Sequence, residues 1–128
     1  LNFIKRPKRL SGSKVEKQEA IVHGTKYINQ KYNFKPKCVI SLQCNSPQFK
    51  HQDLDRALKK FKKKFVKKEK KELISVGYDN CQNAAFRIMT FKAVFQKSLS
   101  TNVIVFFTNY IDIHTRADYE KVLKKLNV

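Results

Sequence analysis

A chain of 128 residues fits one domain with a sizeable core, and ten Phe with five Tyr in a 41% hydrophobic sequence exclude a plain disordered tail. The net charge of +18, from 28 basic and 10 acidic residues, repels itself and calls for a polyanionic partner, nucleic acid ahead of anionic lipid or acidic glycan. No run of about 18 apolar residues occurs, so no membrane span is expected, and the N-terminus lacks the apolar stretch of a signal peptide.

The first residue is Leu rather than Met, as in a domain cut from a longer chain or a processed product. Residues 1–12 read as a flexible basic arm, with Lys5, Arg6, Lys8 and Arg9 around Pro7, ahead of a single domain over 13–128. The KRPKR stretch also resembles a short nuclear-import patch.

Ser13 and Glu16 have capping-box spacing, so a helix is predicted to run on to Asn29 or Tyr32. Its inner stripe would be Val15, Ile21, Val22 and Ile28, weakened by Gly24. A strand is predicted over 37–44, ended by Asn45-Ser46-Pro47.

Residues 51–71 carry the strongest signal. Leu54, Leu58, Phe61 and Phe65 recur at helical spacing and form one apolar stripe. Lys59, Lys60, Lys62, Lys63, Lys64, Lys67, Lys70 and Lys71 fill most of the remaining circumference, while Lys68 turns back toward the stripe. A charge run is usually a solvated face. Such a face normally mixes signs, however, because Glu–Lys pairs support a helix. Here nine Lys between 59 and 71 meet only Glu69. A helix that accepts this repulsion points to a polyanion.

Three strands are predicted next: 72–78, then 86–96, then 102–111, the last two apolar on both faces as in central strands. Short polar connections at 79–83 and 97–101 predict antiparallel hairpins. Thr115 and Asp118 cap a final helix to Leu126, with Tyr119, Val122, Leu123 and Leu126 inward. The expected fold is therefore α+β in the order αβαβββα, a four-stranded, mostly antiparallel sheet with helices packed on it. The helix–three strands–helix portion is similar in order to a double-stranded-RNA-binding domain, but that family's final-helix Lys/Ala pattern is absent and no family is assigned.

Candidate chemistry is sparse. Cys38, Cys44 and Cys81 lack a CxxC and read as reduced thiols, which suits an intracellular setting. Asp112 and His114 fall on one side of an extended segment, half of a nuclease-type metal site without a nameable third ligand. Restriction-type and rolling-circle motifs are not matched, so no catalytic residue, metal or cofactor is assigned. The aromatics Phe91, Phe95, Phe106, Phe107 and Tyr110 could stack on bases if a sheet face were open, but burial between layers is expected. Tyr27, Tyr32, Tyr78 and Tyr110 are better candidates for partial exposure.

The 23 Lys against 5 Arg favour phosphate contact over base reading, part of that ratio reflecting an AT-rich coding bias. The sequence thus predicts a nucleic-acid-binding domain, DNA or RNA, that grips the phosphate backbone with little sequence preference. Two alternatives are a small nuclease or the DNA-binding or catalytic part of a replication or transposition protein, and a structural protein of a ribonucleoprotein particle or virion. The balance is against an enzyme, and homo-oligomers stay open.

Overall fold

The structure is a computed structural model that describes residues 3–63, 71–97 and 102–127. Helix α1 spans Lys17–Tyr32 and β1 spans Cys38–Leu42. Helix α2 spans His51–Lys63, followed by β2, Glu72–Val76, and β3, Gln82–Thr90. A single turn, α3, covers Phe91–Val94; β4 covers Val103–Phe107 and α4 covers Arg116–Leu126. The domain is α+β, built on one mixed sheet.

The local expectations for the helix ends hold in part. Thr115 and Asp118 form the predicted capping box at the start of α4, where Val122 is buried. Tyr119 and Leu126, expected inward, are exposed. At the start of α1 the N-cap is Glu16 and makes no side-chain capping bond, so the Ser13–Glu16 box does not form. The helix closes where Asn33 takes a left-handed φ of 47°, a conformation that Asn tolerates better than most residues.

The sheet order is β1-β3-β2-β4. β3 pairs antiparallel with both β1 and β2, while β4 pairs parallel with β2. The first expected hairpin, β2–β3, is present. Its turn is tight: Gly77 N–H donates to Cys81 O at 2.8 Å, Asn80 sits at φ 64°, and a β-carbon on Gly77 would fall 2.5 Å from Asp79 Oδ1. The register slips between Ile74 and Val76, and Ser75 Oγ accepts the N–H of Phe86 there at 3.2 Å.

The second expected hairpin is corrected. β3 ends at Thr90, whose hydroxyl accepts from Ala93 N–H at 3.3 Å and starts α3. The chain then passes to the far side of β2 and enters β4 in the parallel sense. The apolar run after Thr90 that reads as strand is thus partly helical: Ala93 and Val94 point inward, while Phe95 is exposed. β4 is accordingly an edge strand among the described residues, not a central one.

Two apolar clusters line the two faces of the sheet. On one, Ala57 and Phe61 of α2 meet Leu73, Phe86, Ile88 and Ile104. On the other, Ile21 and Val22 of α1 meet Val39, Met89, Ala93 and Val94. Arg87 of β3 ties α1 to the sheet on that second face. It donates to Gln18 Oε1 at 2.9 Å, and to one carboxylate oxygen of Glu72 through Nε at 2.9 Å and a terminal nitrogen at 2.6 Å.

Candidate nucleic-acid interface

Helix α2 is built as its sequence suggests over the part described. Ala57 and Phe61 are buried, with Leu54 and Leu58 half-buried beside them. That stripe fixes which way the opposite face points. Lys59, Lys60, Lys62 and Lys63 are all exposed, as is Arg56 one turn earlier. The two acids of α2, Asp53 and Asp55, lie in its first half, and Asp53 is ion-paired to Arg56. From Lys59 to Lys63 the exposed charge is of one sign.

Lysines at both ends of this face reach past the helix. Lys60 Nζ donates to Val105 O on the β4 edge at 2.8 Å. Lys62 lies close enough to Cys38 on β1 to act on its thiol. Burial pushes that thiol's pKa up, and the Lys62 charge opposes the rise. The lysine row therefore spans the layer from one sheet edge toward the other.

Lys64, Lys67 and Lys70, with Phe65 of the stripe, lie outside the described residues. Lys71 needs correction. It does not continue α2 but precedes β2, with its N–H donating to Thr90 Oγ1 at 3.2 Å and its carbonyl accepting from Thr90 N–H at 2.9 Å. Only 4% of this lysine is exposed, so it is not part of an outer phosphate-contacting face.

The N-terminal segment is anchored rather than free along its length. Lys8–Leu10 form a 3-10 turn and Leu10 is buried. Lys5, Arg6, Lys8 and Arg9 stay exposed. Arg6 lines a cleft with Lys17, Ser41 and Arg87, and Arg9 lines another with Glu19 and His23. Both clefts lie on the α1 face. The structure therefore does not bring the arm and the α2 lysines together; they flank opposite faces of the sheet.

One cluster at the root of α2 has no local signal in the sequence, since its partners are 57 residues apart. The Tyr110 hydroxyl donates to Asp53 and accepts the N–H of Lys50 at 3.0 Å. Burial pushes the Asp53 carboxyl up, but the Tyr110 hydroxyl and the Arg56 guanidinium outweigh it and hold the group below the usual carboxylate range. Burial first, then the Asp53 bond, pushes the Tyr110 phenol up to about 12. Stability from Asp53 is thus present above about pH 4 and fades as the pH falls through its depressed value. Stability from Tyr110 is complete below about pH 10 and fades as the pH climbs through the raised value. Tyr110→Phe should cost roughly 1–2 kcal/mol near neutral pH and flatten both flanks of the stability profile. Urea melts across the pH range check it; a profile identical to the parent's would remove this pair from the account of how α2 is held.

The Asp112–His114 pair does form, with Nε2 to Oδ2 at 2.8 Å. Among the described residues no three His, Cys, Asp or Glu side chains come together to suit a metal ion. The cysteines are free thiols, Cys44 and Cys81 exposed and Cys38 half-buried. No described helix is long and apolar enough to cross a membrane.

No family model matches this chain, and no curated protein resembles it at a significant level. The functional reading therefore rests on residues and geometry alone.

The least expected surface lies at the far end of the sheet. Phe107 on β4 and Tyr78 in the β2–β3 turn are 50% and 72% exposed, and their rings stack parallel, 6.2 Å between centroids and 7° between planes. Partial exposure of Tyr78 follows the sequence reading; that of Phe107 reverses it. The cause is the edge position of β4. A two-sided apolar strand placed at a border buries Ile104 and leaves Val103 and Phe107 open. No periodicity in the sequence separates an edge from a central strand.

Proposed function

We propose that this domain binds nucleic acid through the phosphate backbone, with the exposed Lys59, Lys60, Lys62 and Lys63 of α2 as the main contact and Lys5, Arg6, Lys8 and Arg9 as a second, separate basic surface. The observation that carries the reading is the one-signed outer face of a helix whose other face is docked in the core. Lysine acts as a point charge, so the grip is on phosphates and tolerant of sequence. An intracellular setting goes with this reading, nuclear if KRPKR is recognised for import.

Neutralising about six phosphates gives log affinity against log salt a slope of roughly −4 to −5. Replacing Lys59, Lys60, Lys62 and Lys63 together by Gln should lower affinity at least about tenfold and flatten the slope by about 3, at unchanged melting temperature. Fluorescence-anisotropy titrations of RNA, single-stranded DNA and duplex DNA at several salt concentrations measure both quantities. Affinity unaffected by salt, or by the four changes, would move the contact away from α2.

A second class of function has one observation behind it. The Asp112–His114 pair is a carboxylate orienting an imidazole, as a general base requires. A small nuclease would cleave RNA or DNA in the same incubations, and His114→Ala would abolish that cleavage while leaving binding intact. Cleavage that survives His114→Ala would dismiss the pair as its source.

A further inference from the structure

We infer that the stacked Tyr78–Phe107 pair is a platform on which a base of a single-stranded nucleic acid stacks, with Lys60 and Lys125 holding the flanking phosphates; this rests on the nucleic-acid reading above and narrows it to single strands.

Four observations converge on this surface. First, both rings are more than a third exposed, yet they stand parallel, so one flat π-face is offered to solvent at the end of the sheet. Second, β4 continues that face: Val103 is exposed and Val105 half-buried, beside a half-buried Ile74 and the buried Glu72 and Val76 of β2, while α1 and α3 pack over β1 and β3. Third, cations bracket Phe107 along the chain. Lys60 Nζ is held at Val105 O, two residues before it, at 2.8 Å. Lys125 Nζ is held at Asn109, two residues after it, 3.3 Å from the carbonyl and 3.1 Å from Oδ1. Fourth, all three of these acceptors are neutral oxygens. They position the ammonium groups without cancelling their charge.

A flat aromatic face between fixed positive charges suits one chemistry above others. A lipid surface would want an apolar protrusion in a broad basic ring, and a second copy of a chain carrying +18 would bring its own lysines against these. A splayed nucleotide strand offers a π-face and a phosphate on either side of it. A duplex keeps its bases stacked on each other and cannot use the platform.

The chain has no Trp, so Phe107→Trp creates a single-tryptophan reporter at the platform. Phe34→Trp, on a ring that is 56% exposed beyond the end of α1, is the control. Adding a short oligothymidylate should quench the tryptophan at 107 and leave the one at 34 unchanged. Tyr78→Ala, a change at an exposed turn position, should weaken oligothymidylate binding by about tenfold without altering duplex affinity or the salt slope. Circular-dichroism melts confirm that each variant is folded. Salt-dependent oligothymidylate binding without quenching at 107 would overturn the platform and leave the lysine reading standing. No binding of any nucleic acid would overturn both. Quenching at 107 that grows with protein concentration alone would assign the face to a second copy and overturn the inference.

Discussion

Arg87→Leu should destabilise the domain by about 3 kcal/mol, on the order of 10 °C in melting temperature. The reason lies in Glu72, whose side chain is 1% exposed and takes two N–H bonds from Arg87 on one oxygen. Removing the guanidinium takes from this buried carboxylate the cation that gives it two hydrogen bonds and helps to offset its desolvation. It also severs the bond to Gln18, so α1 loses a tie to β3. Gln96, 3.4 Å from the other Glu72 oxygen, is a weak substitute. Changing both residues to Leu should recover most of the loss, because an apolar pair of similar volume needs no compensation. Urea unfolding with an unchanged slope is the appropriate readout. If the single variant stayed within about 0.5 kcal/mol of the parent, the pair would count as ordinary surface charge.

Phe61→Ala should cost about 3–5 kcal/mol, the usual range for deleting a fully buried ring. Phe61 is 1% exposed and belongs to the cluster with Leu73, Phe86, Ile88 and Ile104. The strands beneath the ring are hydrogen-bonded into one sheet, so the space cannot collapse easily. Phe61→Leu refills most of the volume and should cost less than half as much. Chemical denaturation of both variants gives the comparison. A loss below about 1 kcal/mol for the alanine variant would mean that α2 rides on the sheet rather than completing its core. The lysine face would then lack a fixed frame.

How much was legible beforehand follows from which forces are local. The α2 stripe was readable because Leu54, Leu58 and Phe61 repeat at the helical period, and the Thr115–Asp118 cap because its partners are three residues apart. The run after Thr90 was misread as strand because alternation in a short apolar segment does not distinguish a strand from one helical turn. The order of strands was not readable at all. Whether β4 pairs with β3 or crosses to β2 depends on packing between residues distant in sequence, and the exposure of Phe107 follows from that choice. The candidate site divides in the same way. The lysines of α2 were visible as a local pattern, whereas the burial of Lys71, the anchoring of Leu10 and the Tyr78–Phe107 stack were not.

The crossing to β4 also orders events in time. β2 and β3 are joined by a five-residue turn closed by Gly77 and Cys81, so their pairing is fast and local. β4 must wait for α3 and then find β2 in the parallel sense, a contact with a larger loop-closure cost. Among the described residues it is held to the sheet on one side only. The border that carries Phe107 therefore joins after the β2–β3 hairpin, and a polyanion seated across it would act as a clasp on that edge of the sheet.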